Sequence, residues 1–110
     1  MANRGVWVTV APAADFAVGE RRTVRTDRHT ILVIHTARGL FAVEDRCSHD
    51  EWELVEGEVR GEEIVCPRHA ARFDLRTGRA LSPPAWRPLT TFPVRHRAGE
   101  IQVRAIPLSS

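Results

Sequence analysis

Two cysteines and five histidines are the side chains of this 110-residue chain best suited to hold a metal or to attack a substrate. Each cysteine stands beside a histidine. His49 follows Cys47 by two positions and His69 follows Cys66 by three, with sixteen residues between the two pairs. Each pair offers one thiolate sulfur and one imidazole nitrogen from a short segment, and three chemistries draw on such a set. Zinc accepts two sulfurs and two nitrogens tetrahedrally, although its usual short motifs pair Cys with Cys and His with His. A cysteine nucleophile with a histidine base uses one pair and leaves the other without a role. A [2Fe-2S] cluster of mixed ligation uses all four, two thiolates on one iron and two imidazoles on the other. His29, His35 and His96 fall outside the pattern and read as strand or turn residues.

The elements that must bring the two pairs together are strands. Short runs of β-branched and apolar residues recur at Val6 to Val10, Arg22 to Thr26, Thr30 to Thr36, Leu40 to Val43, Glu58 to Val59, Glu63 to Val65, Arg72 to Leu75, Thr91 to Arg97 and Ile101 to Ile106. Gly-containing turn signals separate many of them, which predicts a small all-β sandwich or barrel of antiparallel sheets. Ala11 to Val18 alone is expected to form a helical turn, with Pro12 in its first turn. Cys47 and Cys66 then fall at strand ends, and the spacer between the pairs is long enough for a hairpin whose turn is Gly57 to Gly61. Ser82-Pro83-Pro84-Ala85 reads as a stiff loop.

Size and composition bound the setting. At 110 residues and 43% apolar, the chain suits one domain with one modest core. Its longest apolar runs, such as Ile31-Leu32-Val33-Ile34, fall far short of the roughly 20 residues that span a bilayer. The first twenty residues lack the continuous apolar stretch of a secretory signal, so a cytoplasmic protein is expected. Two thiols in that reducing compartment point to ligands or reactive groups rather than a disulfide.

The net charge of +2 hides an asymmetry: from Glu44 to Glu63 nine carboxylates face two arginines, leaving that segment at −7 and the remainder at +9. No clustered basic run or aromatic-basic interleaving accompanies the surplus of arginine, which argues against a nucleic-acid partner.

The stretches CSH, CPRHAARFD and RTGRALSPPAWRPLTTFPV, with WELVEG after the first histidine, resemble the Rieske family over about Thr30 to Ile106. The likeness is to the small Rieske-type ferredoxins of bacterial aromatic-ring-hydroxylating dioxygenase systems. It implies stacked antiparallel β-sheets forming a sandwich or incomplete barrel. A cluster-binding subdomain of about residues 45–86 would be inserted in a basal domain of 1–44 plus 87–110. It also implies a Rieske [2Fe-2S] cluster, with Cys47 and Cys66 on the inner iron and His49 and His69 on the outer, solvent-facing one. Ser82 to Trp86 would be a third loop over the cluster.

The implied role is that of a one-electron carrier, a monomer and not an enzyme. It would take electrons from an NAD(P)H-dependent flavoprotein ferredoxin reductase and pass them to a terminal Rieske oxygenase. About forty residues follow the motif and His96 is their sole histidine, too little for the mononuclear iron site of an oxygenase. Relative to high-potential members, Trp52 and Arg68 replace a disulfide, Ala70 and Ala71 supply no hydroxyl, and Phe73 stands where a tyrosine would. These departures predict a potential near the lower end of the Rieske span, about −150 mV. Sulfur hydrogen bonds are then expected from backbone N–H groups of residues 49 to 52 and 68 to 71.

Trp52 and Trp86 are expected to shield the cluster and, with Arg68, to border a docking surface. The carboxylates of Asp50, Glu51, Glu53, Glu56 and Glu58 would steer a basic partner toward it. Two other functions compete: an accessory protein like the nitrite reductase small subunit, which the four intact ligands argue against, and a zinc-stabilised binding module.

Overall fold

Ile31, Leu32, Val33 and Ile34 are each 2% exposed or less. Successive strand residues point to opposite faces, so four consecutive buried residues require a strand covered on both sides. In the computed structural model, which describes residues 7–26, 28–45, 54–67, 70–83 and 87–106, that strand is the centre of the middle layer of three.

Among the described residues the chain forms nine strands: β1 Trp7–Pro12, β2 Arg21–Arg25, β3 Thr30–Thr36, β4 Gly39–Glu44, β5 Glu58–Arg60, β6 Glu63–Val65, β7 Arg72–Asp74, β8 Val94–Arg97 and β9 Glu100–Arg104. Every pairing is antiparallel, in three sheets of order β1-β9-β8, β2-β3-β4 and β5-β6-β7. Two cores lie on the two faces of the β2-β3-β4 sheet. Leu32, Ile34 and Val43 join Ile64, Cys66 and Phe73 toward the β5-β6-β7 sheet. Ile31, Val33 and Ala42 join Phe16, Ile101 and Val103 toward the β1-β9-β8 sheet.

The all-β expectation holds, and the departures from it have local causes. The helical segment placed at Ala11 to Val18 shrinks to one 3-10 turn, Ala13–Asp15. Ala11 is buried and Pro12 sits at φ −59°, ψ 141°, so both extend β1, and the Ala13 N–H, free at the start of the turn, donates to Gly99 O at 2.8 Å. The hairpin turn is narrower than Gly57 to Gly61, because β5 begins at Glu58 and only Gly61 and Glu62 turn the chain. Gly57 has a different task. A Cβ there would collide with the carbonyl oxygen of Val65, so its lack of a side chain allows the chain to press against the end of β6.

The strand placed at Thr91 to Arg97 divides. Thr91 bridges Val43, Glu44 N–H donates to Thr90 O at 2.8 Å and Phe92 N–H donates to Ala42 O at 2.9 Å. Pro93, with no N–H, ends that pairing and the chain crosses to β8 in the next sheet. His35 and His96 lie in strands and His29 directly before β3, as their reading required. His35 Nδ1 bonds Phe16 O at 2.8 Å, which gives that imidazole a place in the fold.

Candidate metal centre

The described residues include one of the four ligand candidates, Cys66. Cys47, His49 and His69 lie outside them, as do Asp50, Glu51, Trp52, Glu53, Arg68 and Trp86 of the docking surface. What the fold displays is the frame from which the ligand segments depart.

That frame is one end of the β5-β6-β7 sheet. Glu58 pairs with Val65 and Val65 with Arg72, so the residues just beyond this row are Gly57, Cys66 and Ala71. The segment carrying Cys47 and His49 returns to this end through the turn Leu54 to Gly57, closed by the Gly57 N–H on Leu54 O at 2.8 Å. The segment carrying His69 leaves and re-enters here. Cys66 N–H donates to Ala71 O at 2.7 Å, and Ala70 N–H donates to Cys66 O at 3.0 Å with Ala70 at φ +61°. The Pro-rich segment is tied to the same corner: Leu81 N–H donates to Arg72 O at 2.7 Å, and Ser82 Oγ accepts from Arg72 N–H at 3.0 Å. Three loop bases thus meet at the end of one small sheet.

Cys66 is 1% exposed, has no disulfide partner and shares its core with Leu54, Ala71 and Phe73. A sulfur in such an apolar wall suits a soft metal ligand. The donor chemistry therefore fits an iron–sulfur group whose inner iron is held by thiolates. The Ala70 N–H is already committed to Cys66 O, which removes one of the expected sulfur donors and leaves Ala71 N–H as the described candidate. Among the described residues no three His, Cys, Asp or Glu side chains gather as a separate metal site.

Residues that the sequence reading did not single out hold the first segment. Asp45, 5% exposed, follows β4 directly. Its Oδ1 accepts the Leu54 N–H at 2.8 Å across the eight residues of the loop, and its Oδ2 accepts the Thr23 hydroxyl at 3.2 Å. The signal available in the sequence was an Asp at a strand end ahead of a loop, where a short carboxylate commonly satisfies a nearby backbone N–H.

Part of the acidic segment is neutralised in place. Arg60 lies 2.9 Å from Glu58 and holds its carboxyl below the usual value, by its hydrogen bond first and its charge second. Arg72 and Arg76, from outside the segment, reach Glu63 at 2.8 Å and Glu62 at 3.4 Å. Glu56 is exposed and has no ion pair among the described residues.

Comparison with known proteins gives a consistent set of likenesses. The Rieske [2Fe-2S] domain profile matches residues 6–93. The 3-phenylpropionate/cinnamic acid dioxygenase ferredoxin subunit of Escherichia coli is 41% identical over 96 residues, covering 86% of this chain and 89% of its own. A chain from the complex of reduced oxygenase and oxidized ferredoxin in carbazole 1,9a-dioxygenase superposes with a TM-score of 0.89 at 32% identity, covering 96% of this chain and 98% of that one. The ferredoxin of carbazole 1,9a-dioxygenase from Nocardioides aromaticivorans gives a TM-score of 0.82 at 31% identity, over 89% of this chain and 96% of its own.

Proposed function

The chain belongs to the Rieske [2Fe-2S] domain family, and from that premise we propose that Cys47, His49, Cys66 and His69 hold its cluster, the cysteines on the inner iron and the histidines on the outer. The protein is the ferredoxin component of an aromatic-ring dioxygenase system, an electron carrier rather than the catalytic component. Held by Cys47, His49, Cys66 and His69, a cluster would supply one-electron redox chemistry. The chain's own contribution is to hold two thiolates in an apolar wall, to keep two imidazoles toward solvent and to present a surface that partners recognise.

The observation that supports the ligand assignment best is the convergence of three loop bases beside the buried Cys66 sulfur. The division into a cluster-binding subdomain of about residues 45–86 and a basal domain of 1–44 plus 87–110 belongs to the same proposal. The separate β5-β6-β7 sheet supports it. The partners are a terminal Rieske oxygenase, which receives the electron, and an NAD(P)H-dependent flavoprotein ferredoxin reductase, which supplies it. Docking would use Asp50, Glu51, Trp52, Glu53, Arg68 and Trp86. No described helix is long and apolar enough to cross a membrane, and the cytoplasm, where NAD(P)H is available, is the compartment we assign.

The test is spectroscopic. Purified protein should be red-brown, and its reduced form should give the EPR signal of mixed histidine-cysteine ligation. A colourless protein with stoichiometric zinc would overturn the reading in favour of a zinc-stabilised module. Cys66→Ser should abolish or severely alter the visible absorption and lower thermal stability, because the metal ties the loops together. An unchanged spectrum would sink the ligand assignment.

A further inference from the structure

Strand β2 lies at the edge of the middle sheet, yet two of its side chains reach into the cluster end of the molecule. Arg21 and Thr23 are two apart on the strand and so project from one face. Arg21 Nη1 donates to Val55 O at 2.9 Å and to Gly57 O at 2.6 Å. Thr23 Oγ1 donates to Asp45 Oδ2, whose partner oxygen holds the Leu54 N–H. Together these bonds take up one N–H and two carbonyls of the turn Leu54 to Gly57. The opposite side of that turn rests on β6, where Gly57 approaches Val65 O too closely to admit a Cβ. Val65 is the neighbour of Cys66.

We infer that Arg21, Thr23 and Asp45 form a clip that positions the Cys47-His49 loop relative to Cys66, so that the middle sheet sets the geometry of the cluster ligands. The inference rests on the ligand assignment proposed above. None of the three need touch the cluster; they act through the turn. The guanidinium holds two carbonyls of the turn and the Asp45 carboxylate holds its N–H, and such charge-assisted bonds contribute more than neutral ones. The turn it holds is short enough to pass a displacement to the loop ahead of it. Loosening the clip should let the outer ligands sample more than one arrangement, which broadens the EPR line of the reduced form and opens the cluster to attack.

The experiment compares holoproteins by three readouts: thermal unfolding, the EPR line of the reduced form, and the rate at which a ferrous chelator bleaches the visible absorption. Arg21→Met removes both charge-assisted bonds and should bleach at least about tenfold faster than the parent, and broaden the line. Arg21→Lys, which keeps one cationic donor, should recover part of both. Val24→Ala is the control, because Val24 faces the other core and its truncation weakens the fold without touching the clip. If Arg21→Met bleaches no faster than Val24→Ala at equal loss of thermal stability, and its EPR line stays sharp, the residue is merely structural and the inference is overturned. Should Arg21→Met fail to fold, Thr23→Val carries the same comparison, with a smaller effect in the same direction expected and none overturning the clip. A parent lacking the mixed-ligation EPR signal would instead overturn the ligand assignment and the clip with it.

Discussion

Phe73 is fully buried in the core that contains Cys66, at the position where high-potential relatives of the family use a tyrosine. A hydroxyl placed there without a partner costs about 1–3 kcal/mol. A metal-bound thiolate in the same core is an acceptor, and donation to it eases the arrival of negative charge. Phe73→Tyr is therefore expected to raise the midpoint potential above that of the parent, read by redox titration of the visible spectrum. An unchanged potential with lowered thermal stability would mean that the hydroxyl finds no sulfur. At this scale the sequence offered four ligand candidates by type and spacing, of which the described residues include Cys66. It did not reveal Asp45, which entered only as one charge among nine. Its role depends on Leu54 and Thr23 converging on two oxygens of one carboxylate, and nothing in the local pattern marks Thr23 as a partner.

Strand β3 shows what burial on both faces demands of an element. Leu32 packs toward the cluster-end core and Ile31 toward the basal one, and both are fully buried. Ile31→Ala and Leu32→Ala should each destabilise the protein by about 2–5 kcal/mol through lost burial and residual cavities. For a domain of this size that is a fall in Tm of roughly 10 °C or more, measured by thermal unfolding of the holoprotein. A strand with one solvated face would lose stability at only one of the two positions, so a silent Ile31→Ala would refute the three-layer arrangement. Strands such as Thr30–Thr36 and Glu63–Val65 were legible to the residue because apolar runs and flanking turn residues agree there. The helical turn expected within Ala11 to Val18 is confined to Ala13–Asp15 for a tertiary reason. Ala11 is needed in the basal core and Pro12 continues an edge strand opposite Glu100, so long-range pairing overrides a local preference.

Across the whole molecule, the order of the layers turns a charge count into a direction. The β1-β9-β8 sheet, on the far side of the middle layer from the β5-β6-β7 sheet, carries Arg95, Arg97 and Arg104, with Arg95 3.9 Å and Arg104 5.9 Å from the centre of the Trp7 ring. Arg95 is held below its usual pKa by burial and then by the charges of Arg97 and Arg104, the mark of a crowded positive surface. The opposite end carries the acidic segment, whose −7 is an upper limit because Arg72 and Arg76 reach Glu63 and Glu62 from outside it. Sequence counting could not anticipate those pairs, since they form only when β7 lies beside β6 and the turn after it folds back. The expectation that Asp50, Glu51, Glu53, Glu56 and Glu58 steer a basic partner can be tested at Glu56, which has no ion pair among the described residues, and at Glu58, which pairs with Arg60. The rate of reduction by the flavoprotein reductase should drop on the order of tenfold between low and physiological ionic strength, as screening shortens the reach of that field. Glu56→Gln should lower the low-salt rate and flatten its salt dependence, and Glu58→Gln should do so at least as much, because each change removes one negative charge and the second also leaves the Arg60 cation unpaired. Stopped-flow reduction at two salt concentrations reads all of this. A rate indifferent to salt would leave these carboxylates as solvation of a hairpin, and a Glu58→Gln variant reduced as fast as the parent at low salt would place Glu58 and Arg60 off the approach path.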